Sequence, residues 1–163
     1  SPSRTMRRIE KRNSDLVRTV LPAEATREQF GLLQAYLSSR HSGGGMSDMG
    51  LFDYVAMVEE TPVDTHIVEY RLPGVGCDEN RLVACSLTDK LQDGLSMVYS
   101  FFDPEMADRS LGTHMILDHL NSARAHKLPY VYLGYWVQGS DKMDYKIRFR
   151  PMEALNSAGW TRL

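Results

Sequence analysis

The chain has 163 residues, 42% of them hydrophobic and 25% charged, enough for one well-packed core and little beside it. A net charge of −2 excludes a polybasic nucleic-acid binder, so any RNA contact must be local. Two cysteines, Cys77 and Cys85, are too few for a disulfide framework or a zinc site, and no apolar run approaches the ~20 residues of a membrane span; a reduced, cytoplasmic setting with no metal and no membrane fits.

In chain order, residues 1–18 hold Arg4, Arg7, Arg8, Lys11, Arg12 and Arg18 against Glu10 and Asp15, the one sustained basic run. The run has little apolar periodicity and leads through Leu21-Pro22, which reads as an entry strand or linker. The start at Ser1-Pro2 without methionine reads as a cropped chain. Thr26 and Gln29 then form a capping box, and Phe30, Leu33, Tyr36 and Leu37 recur at helical spacing up to Ser38-Ser39. His41-Ser-Gly-Gly-Gly45 breaks that helix, and a second one is expected over 48–59, with Leu51, Val55 and Val58 on one side.

The period then changes. Residues 66–71 and 81–89 read as a hairpin around Pro73-Gly74-Val75-Gly76, and 94–102 as a third strand stopped by Asp103-Pro104. Residues 110–127 make the clearest helix, capped by Ser110, with Leu111, Met115, Ile116, Leu120 and Ala123 on one face. A strand apolar on both faces follows at 130–137, then a polar turn or helix at 140–146 and a last strand at 147–150. This order predicts an α/β (α+β) chain, a mixed sheet with helices on both faces and one right-handed strand–helix–strand crossover. Such a skeleton is that of the acetyltransferase-like (GNAT-type) fold, whose working groove opens where two parallel strands splay.

In that fold a loop of the form Arg/Gln-x-x-Gly-x-Gly/Ala grips the coenzyme A pyrophosphate. Here Arg109-Ser110-Leu111-Gly112-Thr113-His114 keeps half the pattern, and the His114 ring would crowd a pyrophosphate, so no cofactor is expected. Ser110, Gly112 and Thr113 remain substrate-binding candidates, beside the plain reading of a helix start. Asp89 and Asp103 stand near the two ends of one strand, where a carboxylate can hold an amine or a ribose hydroxyl; turn chemistry is the other explanation. The stretch 130–151 interleaves Tyr132, Tyr135, Trp136 and Tyr145 with Lys142, Lys146, Arg148 and Arg150, a pattern suited to stacking a nucleotide end and pairing its phosphates, or else core aromatics with a solvated cationic face. His114 and Asp118 are four apart, without metal-ligand spacing, and no nucleophile motif is present, so covalent catalysis is not expected.

On the runs Asp93-Gly-Leu-Ser-Met-Val-Tyr-Ser-Phe-Phe-Asp-Pro104, Ser110-Leu-Gly-Thr113, Tyr130-Val-Tyr-Leu-Gly-Tyr-Trp136 and Lys142-Met-Asp-Tyr-Lys146, the chain resembles the C-terminal domain of the arginyl/leucyl-tRNA–protein transferase family, and most its bacterial branch, the aspartate/glutamate leucyltransferases. The resemblance covers nearly the whole chain. It implies that residues 1–25 are an arm from an N-terminal cysteine-bearing domain and 26–163 the catalytic domain. It further implies transfer of leucine or arginine from charged tRNA to the N-terminal amine of proteins starting with Asp or Glu, marking them for N-degron degradation. Asp103 or Asp89 is then expected to bind or deprotonate the amine. Tyr99 and Tyr135 are candidate oxyanion donors, and with Trp136 they shape the pockets; Lys142, Lys146 and Arg148 attract the acceptor's acid or tRNA phosphates, and Tyr145 is a further substrate-binding candidate. Two other readings stay open at this point, a coenzyme A-dependent N-acyltransferase of the same fold and a non-catalytic module that recognises protein N-termini.

Overall fold

The computed structural model describes residues 2–40, 48–75, 79–137, 139–140 and 143–163. It divides into two compact units, Ser1–Tyr132 and Leu133–Leu163.

The first unit begins with helix α1 (Arg4–Arg12), where a basic arm with little apolar periodicity was expected. Ser3 caps it, its Oγ accepting from the Met6 N–H at 3.2 Å, and Lys11 and Arg12 sit in the last turn, where the helix dipole favours cations. Ile9 alone is buried, too thin an apolar signal to read as amphipathic. Strand β1 (Val17–Pro22) pairs antiparallel with β2 (Asp64–Leu72) and forms the sheet edge, where Pro22 removes no ladder bond from the interior.

Helix α2 (Arg27–Arg40) starts with the expected capping box: Gln29 N–H donates to Thr26 Oγ1 and Thr26 N–H to Gln29 Oε1, both at 3.1 Å. Helix α3 (Leu51–Glu59) is shorter than expected and starts where Asp53 accepts from the Gly50 N–H at 2.9 Å. Strands β3 (Arg81–Lys90) and β4 (Gly94–Phe102) follow; helix α4 (Leu111–Ala125) then crosses to β5 (Tyr130–Tyr132). The sheet order is β1-β2-β3-β4-β5, antiparallel except for the parallel β4–β5 pair.

Side-chain alternation divides the sheet into two faces. On one, Ile67, Cys85, Leu87 and Phe101 pack under Leu33, Tyr36 and Leu37 of α2 and Tyr54 and Val58 of α3. Glu69 is buried on that same face. Its carboxylate is satisfied by Gln29 Nε2 and Arg71 Nε, each at 2.8 Å, while Tyr54 donates to Gln29 Oε1 at 3.0 Å. On the other face Tyr70 and Thr88 meet Asp118 and His119 of α4. Leu120 is only half-buried in α4, whereas Leu117 and His119 join the inward face.

The C-terminal expectations change most. The strand foreseen at 130–137 stops at Tyr132; Tyr135 is 91% exposed, and Gly134 has a φ of +70°, which an extended strand does not accommodate. In the second unit a 3-10 turn (Asp144–Arg148) fills the end of the span read as a polar turn or helix and the first half of the span read as the last strand. An unforeseen hairpin closes the chain, β6 (Glu153–Asn156) with β7 (Gly159–Arg162), reversing through Ser157-Ala158 into Gly159, whose φ is +97°.

Candidate functional site

The parallel pair is the feature on which the site is built. Among the described residues only Gly94↔Tyr130, Leu95↔Val131 and Ser96↔Tyr132 are in register, so β4 continues from Met97 to Phe102 with no described strand on that side. Gly94 lets the two strands meet: a Cβ there would lie 2.6 Å from the Tyr130 carbonyl oxygen and 3.0 Å from the Tyr132 ring. Tyr132 closes the junction by donating to Asp93 Oδ2 at 2.9 Å. On its other side, β4 carries a bulge: Leu87 pairs with Tyr99 and Thr88 with Met97, which leaves Val98 as the extra residue, 49% exposed, directly past the end of β5. A backbone edge without a strand partner finds its hydrogen bonds in side chains, in water or in a substrate.

Beyond the bulge stands an aromatic group with one cation. Tyr99 is half-buried, and its hydroxyl is pushed up to about 12, first by burial and then by Tyr36, so it stays protonated as a donor. Tyr36 packs edge-on to Phe102 with ring centroids 5.1 Å apart. The Arg40 guanidinium lies 5.3 Å from the centroids of both rings and donates to Tyr36 Oη at 2.9 Å. Sequence reasoning missed Arg40, Tyr36, Phe102 and Val98 as site residues. The one local hint was a cation ending a helix three residues before a glycine run.

Asp103 follows β4 immediately. It is buried, and both of its carboxylate oxygens are engaged: Oδ1 accepts from the Glu105 N–H at 2.9 Å, capping a 3-10 turn (Pro104–Arg109), and Oδ2 pairs with Arg81. Ser110 then takes the left-handed conformation (φ 52°, ψ 47°) at the start of α4, but its side chain makes no cap bond, contrary to the expected hydroxyl cap. Gly112 packs α4 onto the site: a Cβ there would touch Phe102 at 3.3 Å. Thr113 is half-buried in the same turn. Arg109, the cation of the loop pattern, forms a two-pronged pair with Asp15 at 2.8 and 2.9 Å. The His114 ring packs edge-on to Tyr70 at 5.7 Å, and burial holds its pKa below the usual imidazole range.

The two carboxylates proposed from sequence do not meet. Asp89 accepts from Thr65 Oγ1 at 2.6 Å and pairs across with Ser96, at the closed end of the β4–β5 junction. It lies five positions along β3 from Ala84, the partner of Phe102, about 17 Å of strand away from the Asp103 end. His119 is structural: fully buried, its Nδ1 bonds to the Met115 carbonyl at 2.7 Å and its Nε2 to Thr88 Oγ1 at 2.8 Å.

The remaining candidates belong to the second unit. Lys146 donates to the carbonyls of Leu133 (2.6 Å) and Tyr135 (2.8 Å), so its ammonium straps this segment, and burial lowers its pKa. Trp136 borders a hollow of about 490 Å³ with Gly139, Asp144, Ile147, Arg150 and Leu163; its buried Nε1 has no partner among the described residues. Tyr145 is half-buried and Arg148 exposed, both in the 3-10 turn, and Lys142 lies outside the described residues.

A five-stranded mixed sheet between two helical layers, opened at its one parallel pair, defines an acetyltransferase-like fold. Residues 28–156 match the family described as arginine-tRNA-protein transferase, C terminus, and the chain belongs to that family. It is similar to the aspartate/glutamate leucyltransferases of Parvibaculum lavamentivorans (58% identical, 98% of this chain, 64% of the relative), Phenylobacterium zucineum (57%, 98% and 62%) and Mesorhizobium japonicum (55%, 98% and 65%). The chain thus spans less than two thirds of the length of these relatives. Among the described residues no helix is long and apolar enough to cross a membrane.

Proposed function

We propose that this chain supplies the acyl-transfer centre of an aminoacyl-tRNA–protein transferase that moves leucine from charged tRNA onto the N-terminal amine of cytoplasmic proteins beginning with Asp or Glu, marking them for N-degron degradation. The observation that carries the reading is the open edge of β4 from Met97 to Phe102, bulged at Val98 and flanked by Tyr99. The names of the relatives support the donor and the acceptor class.

The chemistry asks little beyond placement. The acceptor's α-amine, with an ordinary pKa of roughly 7.7–8.0, is partly neutral near pH 7 and attacks the ester carbonyl carbon. A C–N bond forms, the carbonyl oxygen takes up negative charge, and the bond to the terminal ribose oxygen then breaks. The amine's proton leaves with that ribose hydroxyl or with water. β4 amides beyond the paired register and the Tyr99 hydroxyl are donors suited to the oxyanion. Asp103, held by Arg81 and the Glu105 amide, serves as a positioning group for the loop after β4. Arg40 offers a cation to the acceptor's acidic side chain, and the names of the relatives tip the donor to leucine. Trp136, Tyr145 and Arg148 are proposed to contact the terminal nucleotides.

The test is a transfer assay with leucyl- and arginyl-tRNA on peptides starting with Asp, Glu and Ala, using this chain alone and joined to the further third its relatives carry. Leucine on Asp and Glu peptides only is the expected outcome. No transfer in either form, or transfer that ignores the first residue, overturns the reading.

A further inference from the structure

Helix α1 separates its charges by face. At 100° per residue, Arg4, Arg7, Arg8 and Lys11 fall within an arc of about 100°, and Arg12 extends it. Ile9, Asn13, Met6 and Glu10 fall on the opposite arc and are buried or half-buried. The single acid of the helix, Glu10, is among the inward residues, where its Oε1 accepts from Asn121 Nδ2 of α4 at 3.0 Å. An ordinary solvated helix face mixes both signs; this one is uniformly cationic in a chain whose net charge is −2.

The face is also anchored beside the candidate site. Asn13 Nδ2 donates to the Arg109 carbonyl at 2.9 Å, Arg12 donates to the Asp108 carbonyl, and Asp15 holds Arg109. These bonds pin α1 to the loop that links the open end of β4 to α4. From Arg4 to Lys11 the stripe runs about 10 Å, the span of about three phosphates along one strand.

We propose that the outer face of α1 is a docking surface for the phosphodiester backbone of the donor tRNA's helical stem, contributing sequence-independent affinity while the open β4 edge receives the ester. The proposal rests on the tRNA-dependent reading above. Charge complementarity argues for it, and the burial of Ile9 against the fold removes the apolar face that a membrane-surface helix requires.

The measurement is fluorescence-anisotropy binding of uncharged leucine tRNA across 50–200 mM salt, comparing the protein with its Arg4→Gln, Arg8→Gln, Lys11→Gln triple variant. None of these three side chains enters an ion pair among the described residues, so the melting temperature serves as a fold check. Removing three phosphate contacts lowers the salt slope by about 2.1–2.7, so the loss of affinity between 50 and 200 mM shrinks roughly 20- to 40-fold. A second variant, Arg4→Lys with Arg8→Lys, keeps the charge and should keep the slope. An unchanged slope in the glutamine variant overturns the proposal, as does capture of the protein by phosphatidylserine vesicles in preference to tRNA. Absent leucyl transfer combined with the altered slope would instead sink the functional reading and leave this surface standing.

Discussion

Replacing Gly94 by alanine tests the geometry of the junction most directly. The new Cβ would sit 2.6 Å from the Tyr130 carbonyl oxygen, and ordinary contact begins at 3.4 Å, so that backbone group must retreat by about 0.8 Å. It belongs to a strand of three residues held by three register pairs, and Tyr132, the next obstacle at 3.0 Å, already hydrogen-bonds Asp93. Overpacking of this kind costs about 1–3 kcal/mol, which lowers the melting temperature by roughly 2–12 °C for a chain of this size. The mouth of the splay is hinged at this pair, and a 1 Å misplacement of reacting groups can cost about 100-fold in rate, so kcat/KM for leucyl transfer should fall by at least tenfold. Calorimetry and the peptide assay read the two effects. Gly31→Ala is the control: it lies in α2 with nothing within 4 Å of its added Cβ and should gain roughly 0.5–1 kcal/mol. A Gly94→Ala protein that melts and turns over like the parent refutes the idea that this contact sets the cleft.

Tyr99→Phe should lower kcat by roughly 100-fold with little change in the melt if the hydroxyl stabilises the oxyanion, and a change below threefold removes it from that role. Arg40→Gln is expected to cut the preference for Asp over Ala peptides by roughly 10- to 100-fold, the worth of one charged hydrogen bond, read as a ratio of kcat/KM values. Asp103→Asn keeps a cap for the Glu105 amide and should retain more transfer than Asp103→Ala; equal collapse in both would instead identify the carboxylate as a proton acceptor. Burial depresses the pKa of His119, so the unfolded chain binds protons more readily than the folded one below its ordinary value of about 6.5. The stability is therefore complete above that pH and is lost as pH falls, by up to about 1.4 kcal/mol per unit from this group, with contributions of the same sign from His66 and His114. Urea midpoints at pH 7.5 and 5.5 should show the fall, and a flat profile contradicts it.

Much of the fold was legible because it is encoded over a few residues. The Thr26–Gln29 box, the stop at Asp103-Pro104 and the 94–102 strand appear where the sequence places them, since caps, turns and period-2 alternation depend on near neighbours. Tyr130 to Val137 misled for the same reason: its apolar residues resemble a covered strand, and nothing local announces that pairing ends after three residues. The arm misled in the other direction, because α1 draws its order from Asn13, Asp15 and Glu10 meeting Arg109 and Asn121 about a hundred residues later.

The family motifs, the helix starts and the run that becomes β4 were thus present in the chain itself, as was the class of reaction they imply. Which groups surround the open edge was decided only on folding. Arg40 reaches Phe102 across more than sixty residues, Asp103 finds Arg81, and Gly94 earns its place from the Tyr130 carbonyl. The bulge at Val98 exists because β3 and β4 pair out of step by one residue. Hydrogen-bond registers and strand ends are properties of two segments at once, and no reading of either segment alone contains them.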